Sequence, residues 1–208
     1  MHRTFIFLVV IIPVLAFAQK PKKLKKKEKS LIEAGNPLDT LRVLLITNSE
    51  DSVFLRKTSK DISLEKNEGE VRYFSKRLVA TMTHPKNAGV GIAAPQVGLQ
   101  RNIICIQRFD KENTPNEIFI NPVIINCSDS TQIGTEGCLS IPDKKGDVKR
   151  AAHIVVEYLD LVGKKHIEEV TGFTAVIFQH EIDHLRGILF IDHLKKTRVE
   201  RVMKGVKH

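Results

Sequence analysis

A pair of histidines four residues apart constrains this chain more than any other feature of its sequence. In a helix, residues at this spacing lie on one face, one turn apart, so His180 and His184 could bind the same metal ion. Residues 174–178 are apolar, which favours a buried helix, expected over 173–186, rather than an amphipathic surface helix. Glu181 stands beside the first histidine and could take and return the proton of a water molecule held by the ion. By itself this short pattern still allows a surface helix whose histidines have ordinary partners.

A catalytic metal site needs a third protein ligand and one open position. One known pattern has a third histidine six residues after the second, but Phe190 occupies that position. Another pattern uses a downstream glutamate, and Glu200 lies in a highly charged stretch. The better candidate is upstream, where Cys138 follows the flexible Gly137. As a thiolate Cys138 would complete a set of one cysteine and two histidines, and the alternative is a buried structural thiol.

Short apolar runs separated by turn residues dominate the middle of the chain. They predict strands over 41–46, 102–107, 118–126, 154–161 and 165–170. An apolar stripe predicts a helix over 71–82, and 47–70 is expected to be irregular. We expect an α+β fold, with antiparallel sheets around a central helix that carries His-Glu-x-x-His and with a C-terminal helix. Cys105 and Cys127 lie in strand-like runs, as core thiols or as a disulfide if the two strands pair.

The N-terminal part of the chain is read as three segments. Residues 1–18 resemble a secretory signal peptide, with an apolar run and a small-residue cleavage site, although an uncleaved membrane anchor is the alternative. Residues 19–37 are expected to form a Lys-rich linker, and 38–208 the catalytic domain. This organisation predicts an exported protein, periplasmic or secreted, or one anchored in the membrane if the signal is not cleaved.

The formal net charge of +9 is concentrated in one short segment. Residues 20–29 hold seven lysines and one glutamate, whereas the charges over 30–208 nearly cancel. We therefore expect no nucleic-acid partner. The Lys-rich tail is a solvated spacer or makes a weak electrostatic contact with an anionic membrane.

Three sequence blocks occur in a fixed order: GVGIAAPQ over 89–96, EGCLS over 136–140 and QHEIDH over 179–184. Together they resemble the hallmarks of the peptide deformylase family, and the likeness runs from about residue 41 to residue 194. The resemblance implies a metal site of Cys138, His180 and His184, with water as the fourth ligand. It implies that Glu181 is the general base and then the acid.

The same resemblance implies roles for residues outside the ligand set. The Gln96 side chain and the Leu139 backbone N–H would stabilise an oxyanion. The substrate would be bound by Val90, Gly91, Gly137 and Ile177. Lys145 stands where the family often has arginine, so contacts with the peptide backbone are expected to differ.

The implied reaction is removal of formate from N-formylmethionyl peptides by one divalent ion. The family commonly uses Fe²⁺, and Zn²⁺ also tolerates one cysteine and two histidines. Two alternatives are a metallopeptidase with the same metal site and a non-catalytic secreted peptide-binding protein. Members of the family act on nascent chains in the cytoplasm or in organelles, which conflicts with the expected export. The sequence indicates no particular oligomeric state.

Overall fold

The computed structural model describes residues 21–194 of the chain. Within them it contains the helices α1 (Lys26–Glu33), α2 (Ser49–Leu55), α3 (Glu68–Thr83) and α4 (Gly172–Leu185). The strands are β1 (Gly91–Ala93), β2 (Ile103–Gln107), β3 (Asn116–Cys127), β4 (Thr131–Cys138), β5 (Ile141–Ala151), β6 (His153–Leu159) and β7 (Lys165–Thr171). Helices combined with antiparallel sheets confirm the expected α+β class.

The strands form two antiparallel sheets that face α4. One has five strands in the order β1-β2-β3-β6-β7, and the other is the hairpin β4-β5. Phe178 of α4 packs on Phe119 of β3, with ring centroids 4.7 Å apart. Asp183, on the same helix, pairs with Arg150 of β5. Because both sheets hold α4, its histidines lie where the two sheets approach each other.

Helix α4 is buried along most of its length, as a helix that is apolar almost all round should be. Its start at Gly172, which has a φ of +61°, turns the chain sharply out of β7. The expected helix over 173–186 is therefore confirmed within one residue at each end. The helix expected over 71–82 is likewise confirmed as α3.

The structure differs from the strand expected over 41–46. This segment joins no sheet, because its backbone N–H groups bond one at a time to different elements: Leu41 to Thr81 Oγ1, Leu44 to the carbonyl of Gln96, and Ile46 to the carbonyl of Ser140. The expected irregular region 47–70 contains α2, capped by the Asn48 side chain. The sequence analysis also did not predict the β4-β5 hairpin, which carries Cys138.

The described part of the expected linker is packed on the domain. Leu24 and Ile32 are 5% and 1% exposed, and α1 lies against α3. Buried Arg101 binds Glu28 and the carbonyl groups of Lys22 and Lys23. These contacts join residues far apart in the sequence, so they could not be predicted locally. The Lys-rich composition indicated a linker, although two apolar side chains hold the segment in place.

Residues 1–20 and 195–208 lie outside the described residues. The signal peptide expected over 1–18 falls there and stays a prediction. Residues 190–194 are helical, but the rest of the expected C-terminal helix falls beyond them. In the described range, no helix has the length and apolar character needed to span a membrane.

Cys105 and Cys127 are both free thiols, so the alternative of a disulfide between them is not realised. Cys105 is buried, as expected for a core thiol, whereas the same expectation is wrong for Cys127, which is exposed. Cys105 lies opposite Ile118 near one end of β3, and Cys127 lies opposite Ile154 at the other end. Neighbouring strands do pair, but their register keeps the two thiols apart.

Candidate functional site

The structure brings three potential metal ligands together from two elements. Cys138 ends β4, and His180 and His184 lie on α4. One ligand atom from each lies within 4.8 Å of the others, and Cys138 Sγ is 3.3 Å from His184 Nε2. A register shift in the β4-β5 pair at Gly137 and Cys138 re-aims the thiol toward the helix.

The chemistry of these donors fits a divalent ion. One thiol and two imidazoles form a set that tetrahedral metal sites use, leaving one position open. Glu136 occupies Nδ1 of His180, so Nε2 is the nitrogen left to face the ion. Burial lowers the pKa of His184 well below its ordinary value, which favours the neutral imidazole that a metal requires.

Behind the ligands, a buried chain of charged groups supports His180. Glu136 accepts from His180 Nδ1 at 2.8 Å and from two nitrogens of Arg150 at 2.8 and 3.0 Å. Arg150 also contacts Asp183 at 2.5 Å, and His193 lies 2.8 Å from the same carboxylate. Burial opposes ionisation of Glu136, but hydrogen bonds from His180 and Arg150 outweigh it and hold its pKa at about 2.

Sequence reasoning missed this supporting chain. Glu136 belongs to one of the three sequence blocks, but it is so far from His180 in the sequence that no pattern predicts a contact between the two side chains. Arg150 lies in a basic-looking stretch of β5, and nothing local marks it as buried. The roles of Glu136 and Arg150 become clear only in the folded structure, where the β4-β5 hairpin packs against α4.

Glu181 projects into the same site and is 3% exposed. Its Oε2 atom is buried and has no hydrogen-bond partner among the described residues. Burial raises the pKa of Glu181 to about 7. A Cβ atom on Gly91 would lie 2.5 Å from Glu181 Oε1 and 2.8 Å from Ile177 Cγ2, so only glycine fits beside this carboxyl group.

Gln96 presents its amide nitrogen to the ligand set. It lies in the short 3-10 helix Ala94–Val97, where its Oε1 atom accepts from the Ala93 backbone N–H at 2.8 Å. This bond orients Nε2 toward Cys138 Sγ at 3.5 Å and Ser140 Oγ at 3.3 Å. The side chain is thus a fixed N–H donor at the edge of the site.

A cavity of about 460 Å³ opens over these groups. It is lined by every predicted site residue except His184: Val90, Gly91, Gln96, Gly137, Cys138, Leu139, Ile177, His180 and Glu181. His184 lies beneath it, 1% exposed. Sequence reasoning did not name Phe173 and Val176, the apolar side chains that complete one wall. Lys145 also lines the cavity and is paired with Gly137 across the hairpin.

Comparisons with known proteins agree on one family. The family model described as Polypeptide deformylase matches residues 43–200. The peptide deformylase of Mesorhizobium japonicum is 39% identical over 154 residues, 74% of this chain and 85% of the relative. That of Caulobacter vibrioides is 36% identical over 168 residues, 80% of this chain and 94% of the relative.

Solved structures give the same answer. A class I type b peptide deformylase from Acinetobacter baumannii with Met-Ala-Ser bound is 35% identical, with a TM-score of 0.67 over 74% of this chain and 98% of that chain. The peptide deformylase from Thermotoga maritima is 32% identical, with a TM-score of 0.66 over 74% of this chain and 97% of that chain.

These comparisons correct the expected localisation. The matched relatives are bacterial peptide deformylases, which the sequence resemblance associates with nascent chains in the cytoplasm. The prediction of an exported or membrane-anchored protein, made from the apolar N-terminal run alone, is therefore wrong.

Proposed function

The chain belongs to the polypeptide deformylase family, and from this premise we propose how its site removes formate from the N-terminal formylmethionine of peptides. It is a metal-dependent hydrolase, and formylated nascent peptides, intermediates of protein biosynthesis, are its substrate class. One observation supports the mechanism above all. The Cys138, His180 and His184 donors, the Glu181 carboxyl group and the Gln96 amide converge on one cavity.

Cys138, His180 and His184 would hold the divalent ion. When bound, such an ion supplies Lewis-acid polarisation of the formyl carbonyl and lowers the pKa of a water molecule. The Glu136 contact would keep the His180 ring oriented for binding, and the buried position of His184 would keep its imidazole neutral.

Glu181 would take a proton from the attacking water and then give it to the leaving amine. Its position supports this role, since its Oε2 atom is buried and unpartnered among the described residues. Contact with Gly91 limits where the carboxyl group can move. Proton transfer by a positioned carboxylate contributes about 10²–10⁴-fold to rates.

Two N–H donors would stabilise the oxyanion that forms on the formyl group. Gln96 Nε2 is already oriented by the bond between Oε1 and the Ala93 N–H. The backbone N–H of Leu139 directly follows Cys138 and would be the second donor. Donors fixed before the reaction need no reorganisation as charge develops, and one such donor is worth about 10²–10³-fold in kcat.

The substrate would be bound along the cavity walls. Val90 and Ile177 would contact the methionine side chain, whose apolar surface matches theirs. Gly91 and Gly137 would present backbone groups to the peptide, because neither has a side chain to block its approach.

The metal is proposed to be Fe²⁺, following the family, with Zn²⁺ as the alternative. Both ions accept one thiolate and two imidazoles as ligands, but only Fe²⁺ can be oxidised, to Fe³⁺. Purification without oxygen followed by elemental analysis would decide. Stoichiometric zinc with full activity in air would contradict the proposal of iron.

Formate release from formyl-Met-Ala-Ser by the metal-loaded protein tests the proposed function. Glu181→Ala should bind metal with wild-type stoichiometry and lose about 10³-fold or more in kcat. Undiminished turnover in that variant would overturn the role of Glu181. Cleavage of internal peptide bonds without formate release would instead favour a metallopeptidase. Peptide binding without any hydrolysis would favour a binding protein.

The catalytic domain is proposed to span 38–208, with the packed residues 21–37 docked on it. Lys22, Lys23, Lys25 and Lys27 are exposed and line a groove of about 650 Å³, and none forms an ion pair among the described residues. We propose that they contact anionic membranes weakly. Replacing all four by Gln should abolish sedimentation with vesicles containing phosphatidylserine at low salt, and equal sedimentation of both proteins would contradict the proposal.

A further inference from the structure

The groove beside α1, of about 650 Å³, is larger than the cavity of about 460 Å³ at the candidate metal site. Its walls come largely from residues 22–31 and α2, and it shares no lining residue with that cavity. The family model matches residues 43–200, so the wall formed by α1 lies outside the region shared with the family. The groove is therefore a feature of this chain that the proposed deformylase mechanism does not involve.

Positive charge dominates the walls of the groove. Seven cationic and three acidic side chains line it, an excess of four positive charges: Lys22, Lys23, Lys25, Lys27, Lys60, Arg42 and Arg101, against Glu28, Glu50 and Asp51. Salt bridges to Asp51 and Glu28 neutralise the two arginines, whereas none of the five lysines forms a salt bridge within residues 21–194. The groove thus concentrates positive charge that a bound anion would neutralise.

The backbone is fixed at these lysines, so they cannot move apart. Buried Arg101 donates to the carbonyl group of Lys22 at 3.4 Å and to that of Lys23 at 3.0 Å. Leu24, the next residue, is 5% exposed. On the other side, Lys60 forms a parallel β-bridge with the same Arg101. Because the fold holds these like charges around one space, an anion can bind there without a change in the fold.

The start of α1 adds a second attraction for anions. The helix begins at Lys26, and both Lys25 before it and Lys27 in its first turn line the groove. Glu28 accepts from the N–H of Lys25 at 2.7 Å, but no group of the described chain accepts from the N–H groups of Lys26 and Lys27. The dipole of a helix places partial positive charge at such N–H groups, and phosphate groups bind there in many proteins.

Apolar side chains line the groove together with the lysines. Leu44 is 7% exposed, and Leu31 and Phe54 are half-buried. The volume falls within the range of about 300–1,000 Å³ that is typical of small-molecule sites. The groove therefore suits an anion with an apolar or aromatic body better than a bare inorganic ion.

We propose that this groove binds a soluble small molecule with two linked phosphate groups and an apolar or aromatic body, the chemistry of a nucleoside diphosphate. One phosphate ester carries about 1.5–2 negative charges at neutral pH, so two phosphates nearly match the excess of four positive charges. The lysines and the start of α1 would bind the phosphates, and Phe54 would contact the body. This site is independent of formate removal, because it lies outside the catalytic cavity.

Calorimetry of the metal-loaded protein with ADP and with inorganic pyrophosphate tests the site. ADP should bind one to one, about threefold to tenfold more tightly than pyrophosphate, and Phe54→Ala should bring the two Kd values together. Lys60→Gln should weaken ADP binding about threefold to fivefold, the effect of one exposed charge pair. Replacing Lys22, Lys23, Lys25 and Lys27 together by Gln should abolish it.

The matched control replaces four exposed lysines outside the groove by Gln: Lys66, Lys76, Lys149 and Lys164. It has the same net charge as the groove variant, and it should bind ADP as the wild type does. ADP should also raise the urea midpoint of the wild type and of the control, but not that of the groove variant. Without ADP, the groove variant should unfold at the wild-type midpoint or above it, because like charges have been removed, so its lost binding is not lost folding.

Two results would overturn the proposal. Equal affinity for ADP in the groove variant and in the control would mean that ADP binds elsewhere, for example at the ion of the catalytic site. Sedimentation of the wild type with phosphatidylserine vesicles, without any binding of ADP, would leave a membrane contact as the only role of these lysines.

Discussion

The Nδ1 atom of His180 lies 2.8 Å from Oε2 of Glu136, and the carboxylate is held ionised by Arg150. An ionised carboxylate can only accept, so Nδ1 of His180 carries the proton and Nε2 is free to bind a metal. The tautomer of one proposed ligand is thus fixed by a residue 44 positions away in the sequence.

Glu136→Gln should weaken metal binding by about tenfold to a hundredfold. The amide can still lie beside His180, but it no longer carries the charge that favours the proton on Nδ1 and neutralises buried Arg150. Metal affinity measured by competition with a chelator checks this, without reference to activity. Glu157→Gln, at a carboxylate in a surface ion pair with Lys165, is the control, and equal affinities in the two variants would contradict the prediction.

Gly91→Ala should lower kcat/KM by about a hundredfold. The new Cβ atom would lie 2.5 Å from Glu181 Oε1, so the carboxyl group must move, and displacements near 1 Å at a reacting group have effects of this size. Gly134→Ala in β4 is the matched control, since a Cβ there meets no atom within 4 Å. Steady-state kinetics with formyl-Met-Ala-Ser provide the measurement, and a wild-type rate in Gly91→Ala would show that Glu181 needs no such restriction.

Arg108→Met should destabilise the fold and change its response to acid. Burial raises the pKa of Glu168, but hydrogen bonds from Arg108 outweigh it, and the same arginine lowers the pKa of Asp110. Folded-state pKa values below the ordinary 4.5 and 3.8 mean that stability is present above these values and is lost as the pH falls through the lowered ones. The wild type should therefore lose free energy of unfolding below about pH 4.5, and the variant should lose less over that window.

Urea unfolding across that pH range measures both effects of the Arg108 substitution. At neutral pH, Arg108→Met should cost about 3 kcal/mol, because it leaves three carboxylates without their buried partner. Arg72→Met, at an exposed pair within α3, should cost less than about 0.5 kcal/mol. Parallel pH curves for the wild type and Arg108→Met would contradict the prediction.

Ile32→Ala should reduce the free energy of unfolding by about 2–4 kcal/mol. Ile32 is 1% exposed in the core, although it belongs to a segment that reads as a linker. Leu38→Ala, at a side chain 79% exposed, should change stability by less than about 0.5 kcal/mol. Chemical denaturation compares the two, and equal small effects would mean that α1 is not part of the cooperative fold.

Local pattern alone predicted much of the fold. The apolar stripes of α3 and α4 repeat at helical spacing within single short windows, and their helices appear where expected. The prediction of a strand over 41–46 was wrong because an apolar run indicates burial and does not by itself indicate pairing with another strand. The backbone N–H groups of this segment bond instead to scattered partners. The β4-β5 hairpin was missed because its exposed strands lack a clear apolar alternation.

By itself the sequence determined which residues could form the proposed site: two histidines one helical turn apart, a glutamate beside them, and an upstream cysteine and glutamine in recognisable blocks. Residue types and short spacings are properties of the chain, so they can be read before it folds. The tertiary structure alone decided that Glu136 and Arg150 orient His180 and that α1 is docked by Arg101. Each of these contacts joins residues far apart in the sequence, and long-range pairing is set by how sheets and helices pack together rather than by any local pattern.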